Sequence, residues 1–298
     1  MKYLMLTCCL LYVRYGQAQS VEKISQLRPD TPWQKMAAVK LQFPGFHPQG
    51  MVKIGDSFFM SSVQVTRKRQ DNDGGEGIGH LFKFNADGKL LAQITLGEGK
   101  IYHPGGMDYD GRFLWIPVAE YRPDSRSVVY KVDPKTMKAT EVMRFDDHLG
   151  GIVHNTDSHT LHAVSWGSRR FYRWGLNAED KAVDAGMDSS RLGVENPSFY
   201  IDYQDCHYIG QNKMLCGGLR KYKTTPDAPA FGLGGLEVID LKSHRPLYQV
   251  PLLLWSPTGA PMTNNTFWIE TTATGLRGYF VPDDDDASTL FVYETTLK

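Results

Sequence analysis

Three histidines stand at matching places in a recurring phrase: His47 in FHPQGM, His103 in YHPGGM and His148 in DHLGGI. Three neutral imidazoles that converge with one position left open are a standard way to hold zinc, iron or manganese while leaving room for water or substrate. The same slot is filled by Asn196 in ENPSFY and Ser256 in WSPTGA, and Glu195 beside Asn196 is the carboxylate best placed to join the histidines. Histidine before proline and glycine also caps tight turns, packing its ring and donating one N–H to a carbonyl. Spacing alone leaves both roles open.

A second pattern concerns charge. Cations cluster after successive apolar runs: Arg67, Lys68 and Arg69; Arg122 and Arg126; Arg169 and Arg170; Arg220, Lys221 and Lys223; Arg277. Grouped on one face they favour an anionic ligand, and Arg122, Arg169 and Arg277 are the expected clamps, since guanidinium grips carboxylate or phosphate bidentately. Pairing with neighbouring acids such as Asp73, Glu76 and Asp124 is the competing use. Glu120 and Glu270 follow apolar runs at similar places and are candidates for acid or base, because a carboxylate facing a partly buried channel can have a raised pKa.

The elements that must position these groups are repeated strands. The phrase recurs every 45 to 60 residues, and a unit of that size cannot bury its own apolar face without stacking on its copies. Runs such as DSFFMSSVQV, GRFLWIPVAEY, HTLHAVSWG, NKMLCGGLR and NTFWIETTA read as second strands, followed by third strands such as HLFKFNADG, VVYKVDPKT and TLFVYETTL. Polar turns lead on to fourth strands such as KLLAQITL. Four antiparallel strands per unit make a propeller blade. The predicted architecture is all-β, a five-bladed β-propeller over residues 33–298, with six blades as the alternative if the long fourth unit hides another. The last unit lacks a fourth strand, and MAAVKLQF near the N-terminus supplies it, closing the ring and removing sheet edges.

Residues 1–18 read as a signal peptide, with Lys2, the run YLMLTCCLLYV and small residues near Ala18, and 19–32 as an extension. The protein is expected to be secreted or periplasmic. With 33 basic and 33 acidic residues the formal charge is zero, and loss of Lys2 and Arg14 leaves it slightly acidic, which argues against nucleic acid and membrane insertion. Past the leader only Cys206 and Cys216 remain, flanking an apparent hairpin; an oxidising space favours one disulfide, and two buried thiols are the alternative. Asp283 to Asp286 lack the spacing of a calcium loop and read as a solvated turn, while Asn264-Asn265-Thr266 matches a glycan acceptor and equally a turn.

FHPQGMVKIGDSFFMSSV resembles the first blade of plant-type glutaminyl cyclase, a secreted five-bladed propeller, although the second phrase, YHPGGM, has no Glu where that family carries FGEG. The overall arrangement is similar to secreted propellers related to gluconolactonase and the senescence-marker lactonases, whose channel holds a divalent metal. That resemblance implies a metal that activates water or polarises an ester. Read as an enzyme, the residue set, with the three histidines as ligands, calls for metal-assisted hydrolysis, elimination or isomerisation. This chain offers histidines where those lactonases offer mostly Glu, Asn and Asp. It also resembles uncharacterised secreted propellers, which imply a fold and no activity. The expectation is a monomer that binds a small anionic or sugar-like molecule at its channel, with a non-catalytic ligand- or protein-binding scaffold as the competing class and glutaminyl cyclase-like activity as what the first-blade resemblance implies.

Overall fold

The computed structural model describes residues 20–70 and 73–297. The signal-peptide reading of residues 1–18 lies outside them. Strand β1 (Gln34–Lys40) precedes the first blade, which comprises β2 (His47–Ile54), β3 (Ser57–Arg67), β4 (Glu76–Asn85) and β5 (Leu90–Leu96). The second blade holds a split inner strand, β6 (Ile101–Pro104) and β7 (Asp108–Tyr109), then β8 (Leu114–Glu120), β9 (Ser127–Val132) and β10 (Ala139–Phe145). The third has β11 (Leu149–Asn155), β12 (Thr160–Ser165), β13 (Arg170–Gly175) and a two-residue edge, β14 (Val194–Glu195). The fourth has β15 (Asp202–Gly210), β16 (Lys213–Tyr222), β17 (Phe231–Asp240) and β18 (Arg245–Leu252), and the fifth β19 (Thr266–Thr271), β20 (Gly275–Val281) and β21 (Thr289–Thr296).

Strand β1 pairs antiparallel with β21 and completes the fifth blade, so the ring closes as the sequence implies. All five blades are antiparallel meanders, and the long fourth unit forms one blade only. The fifth blade corrects one detail of the sequence reading. TFWIET, from the run read as a second strand, is its first, β19, and GLRGYFV, between that run and TLFVYETTL, is its second, β20.

No blade has a core of its own. Five apolar clusters are each filled from two neighbouring blades: Val52, Phe59 and Leu81 meet Leu114 and Ile116, and Trp115 and Phe145 meet Tyr172 and Trp174. Phe171 meets Cys206 and Met214, Leu236 and Val250 meet Phe267 and Phe280, and Met51 and Phe82 meet Tyr279 and Leu290. Burying one such side chain contributes about 1.5–3 kcal/mol, so stability resides in the interfaces. Ile24 and Leu27 of the extension are buried between the fourth and fifth blades, and Lys23 bonds the carbonyl of Thr272, pinning the segment that leads into β1. Among the described residues no helix is long and apolar enough to cross a membrane.

The repeated phrase has a structural function at the hub. A Cβ at Gly50 would lie 2.6 Å from the amide nitrogen of Met107, and one at Gly106 would lie 2.9 Å from the Cα of Asp205. Inner strands of different blades touch backbone to backbone there, and only glycine permits the approach. The amides that follow these contacts point inward. Met51 N–H donates to Asp205 Oδ2 at 2.9 Å and Met107 N–H to Asp205 Oδ1 at 3.1 Å, while Thr266 Oγ1 donates to Asp205 Oδ2 at 2.9 Å. Asp108 accepts His154 N–H at 2.9 Å and Tyr208 N–H at 3.2 Å. Two buried carboxylates thus bind all five inner strands together.

Candidate functional site

Above this glycine-packed hub the strand starts and the loops between second and third strands form the channel mouth. His47 opens β2, His103 lies in β6 and His148 immediately precedes β11, so the rotational equivalence of the three phrases does carry their imidazoles to one place. They line one cavity of about 260 Å³ together with Gln49, Tyr121 and Trp166. The centroids of His103 and His148 are 5.6 Å apart.

Each imidazole has its own environment. His47 is partly exposed and its Nδ1 lies 2.9 Å from Asp284 Oδ1. His148 donates Nδ1–H to the Glu120 carbonyl at 2.8 Å, yet burial pushes its pKa down to about 4. His103 is 5% exposed, and neither of its ring nitrogens has a hydrogen-bond partner among the described residues. Burial, reinforced by the neighbouring His148 and His47, holds it neutral well below the usual histidine range. Leaving a buried donor and acceptor unmade costs about 1–3 kcal/mol each, a penalty that binding sites carry until a ligand supplies the partners. A ring so weakly basic is better suited to donating and accepting hydrogen bonds than to abstracting a proton at neutral pH.

An aromatic wall flanks these rings. Tyr121 stacks on His103 at 4.1 Å, Trp166 meets His148 edge-on at 4.7 Å, and Arg69 lies over Tyr121 and Trp166 at 5.4 and 5.0 Å. Tyr121 and Trp166 follow the ends of β8 and β12, equivalent places in two blades; Tyr121 stands out beside a mouth loop in the sequence, and blade alignment is the signal that finds Trp166. Asp284 belongs to the acidic turn read as solvated. Burial alone would raise its carboxyl, but the hydrogen bonds from His47 and Asn265 outweigh that and hold it below the usual range.

The remaining predicted residues are distributed elsewhere. Glu195 lies on the outermost strand of the third blade, opposite Arg170 and exposed, so it does not join the histidines. Asn196 caps a turn, donating to the Ser168 carbonyl at 2.8 Å and accepting Ser198 N–H at 2.9 Å; Ser256 donates to Asp283 at 2.8 Å. Both precede their inner strands, β15 and β19, by several residues, because the last two phrases end in turns rather than entering a strand. Glu120 is buried and committed to Arg122 and Arg126, each 2.8 Å away. Arg169 shares Asp202 with Arg220, both at 3.2 Å. Glu270 and Arg277 lie away from the mouth. Glu270 is four residues beyond the start of β19, about 13 Å down the strand at 3.3 Å per residue, and pairs with Lys53 near the far end of β2. Arg277 is on β20 rather than in a mouth loop, and pairs with Glu294.

Among the described residues no three His, Cys, Asp or Glu side chains stand close enough to hold one metal ion. Glu195 is remote and adds no carboxylate to the histidines, while the contact of His47 Nδ1 with Asp284 orients that ring and engages only one of its nitrogens. Cys206 and Cys216, partners in the β15–β16 register, are joined by a disulfide with Sγ atoms 2.03 Å apart.

Solved structures resemble the chain at low identity. A Parabacteroides distasonis protein provisionally classed as a glycoside hydrolase matches 85% of this chain and 87% of its own at 10% identity, with a TM-score of 0.51. Hydrazine synthase from Kuenenia stuttgartiensis matches 81% of the chain at 14% identity and a TM-score of 0.39, and this chain spans 57% of that one. A periplasmic gluconolactonase from Pseudomonas aeruginosa matches 84% of the chain and 85% of its own at 13% identity and a TM-score of 0.38. At 10% identity the first of these bears on the fold alone. No curated protein matches the sequence. Residues 5–298 match DUF6454, a family of unknown function, and the chain belongs to that family.

Proposed function

We propose that the channel mouth is a binding site for a small hydroxylated anion of the sugar-acid type. The observation that carries this reading is His103, buried, neutral and unpartnered at both nitrogens, against a cavity of monosaccharide size. Its ring carries one donor and one acceptor that no described residue satisfies, while Tyr121 and Trp166 offer flat faces to a pyranose and Arg69 brings a positive charge to the wall. The disulfide supports residence outside the reducing cytoplasm. With Glu120 neutralised by two arginines and Glu270 remote, the geometry supports recognition better than acid–base catalysis.

The test is calorimetric titration with D-galacturonate and D-gluconate beside neutral D-glucose. Binding of the acids in preference to glucose is expected, with about tenfold or greater loss in His103→Gln, whose fold is checked by circular dichroism. The affinity is expected to survive dialysis against a chelator. Abolition by chelation, with restoration by zinc or manganese, would return the three histidines to the role of metal ligands.

A further inference from the structure

The mouth has a second lobe. A cavity of about 630 Å³ lies between the fourth and fifth blades, lined by Arg220, Lys221, Asn264 and Asn265, and it shares His47, Asp202 and Gln204 with the histidine cavity. The two form one basin across the face of the propeller, touching all five blades. We infer that its ligand is an extended molecule, a carboxylated oligosaccharide of two or more units laid across both lobes; this rests on the mouth being the ligand site proposed above.

Charge placement carries the inference. The two carboxylates in the middle of the basin are already engaged, Asp202 by Arg169 and Arg220 and Asp284 by hydrogen bonds from His47 and Asn265. Two cations at its ends are not. Arg69 caps the aromatic wall of the first lobe, Lys221 borders only the second, and neither has a carboxylate partner among the described residues. Positive charge at both ends of a polar trough calls for negative charge at intervals along the ligand, which one small anion cannot supply. The floor between them is held rigid by its own bonds. Asn265 Nδ2 donates to Asp284 Oδ1 at 2.8 Å and to the Pro282 carbonyl at 3.0 Å, and Asn264 Nδ2 donates to the same carbonyl at 2.9 Å. Fixed amide and carboxylate oxygens suit a row of hydroxyls. Leu219 is the apolar side chain of this lobe, too little to anchor the side chains of a peptide.

The experiment compares D-galacturonate with its dimer and trimer, neutral cellotriose and triglutamate in wild type, Lys221→Ala and His103→Gln. The trimer is expected to bind at least about tenfold more tightly than the monomer. Lys221→Ala is expected to remove about fivefold of that gain without changing monomer affinity, whereas His103→Gln weakens every length. Equal affinity for monomer and trimer overturns the extended ligand and leaves the single-lobe site standing. Cellotriose or triglutamate binding as tightly as the trimer overturns the chemical class. If no uronate of any length binds, the site reading falls and this inference with it.

Discussion

At the scale of single residues, the mouth is organised by what burial does to histidine. An imidazole removed from water resists protonation, because the charged form loses its solvation. His148 titrates near 4 in the folded chain and 6.5 is its ordinary value, so the unfolded chain takes up a proton first as pH falls. Its contribution to stability is therefore complete above about 6.5 and declines from there to about 4. His103 acts in the same direction. Asp108 opposes them, since burial raises its carboxyl to about 6 and the folded state gains proton affinity below that value. Asparagine at 148 keeps a donor for the Glu120 carbonyl and removes the titration. His148→Asn is expected to lose less thermal stability than wild type between pH 7 and pH 5, measured as the difference in Tm at the two values. An equal loss in both proteins would show that this ring does not set the acid sensitivity.

At the scale of elements, each blade is four strands joined by short turns. The β15–β16 hairpin turns at Gln211 and Asn212, both with positive φ near 55°, as a two-residue turn between right-twisted strands requires. The disulfide ties the same two strands ten residues apart in sequence, with both cysteines buried in the core shared by the third and fourth blades. Closing a loop of that size stabilises by about 2–3 kcal/mol through the unfolded chain. Cys206→Ser combined with Cys216→Ser is expected to lose about that much in urea denaturation, while sugar-acid affinity, read at the mouth where β15 begins, changes little. The glycan acceptor Asn264-Asn265-Thr266 has a different meaning in this context. Its asparagines form the rigid floor of the second lobe and its threonine bonds Asp205, so all three side chains are occupied.

At the scale of the whole molecule, the wheel holds because neighbouring blades share cores and the inner strands share two carboxylates. Asp205 accepts hydrogen bonds from the first, second and fifth blades while residing in the fourth. His207 lies 3.4 Å from Asp205 Oδ2 and donates Nε2–H to the Phe267 carbonyl at 2.9 Å; burial alone would lower its pKa, but the Asp205 charge prevails and raises it. Asp205→Asn would turn an amide donor towards amide and hydroxyl donors. A loss of about 3–5 kcal/mol in denaturation is expected, with all blades unfolding in one transition. Loss confined to the fourth blade, seen as a separate transition, would show that the hub does not couple the ring.

The sequence by itself determined the fold, because the information was periodic. Five phrases, alternating strands and an unfinished last unit admit closure by an N-terminal strand, and hydrophobic pattern needs no distances to be read. It also indicated that His47, His103 and His148 would share an axis, since pseudo-symmetry follows from repetition. Only the tertiary structure decided which groups face the cavity and which are already paired. Glu120 between two arginines, Glu270 at the wrong end of β19, Glu195 on an outer edge and Asp284 beside His47 depend on where strands begin and on contacts between blades far apart in sequence. Side-chain chemistry is fixed by residue type, but its availability is fixed by neighbours and by burial, and those arise only when the ring closes.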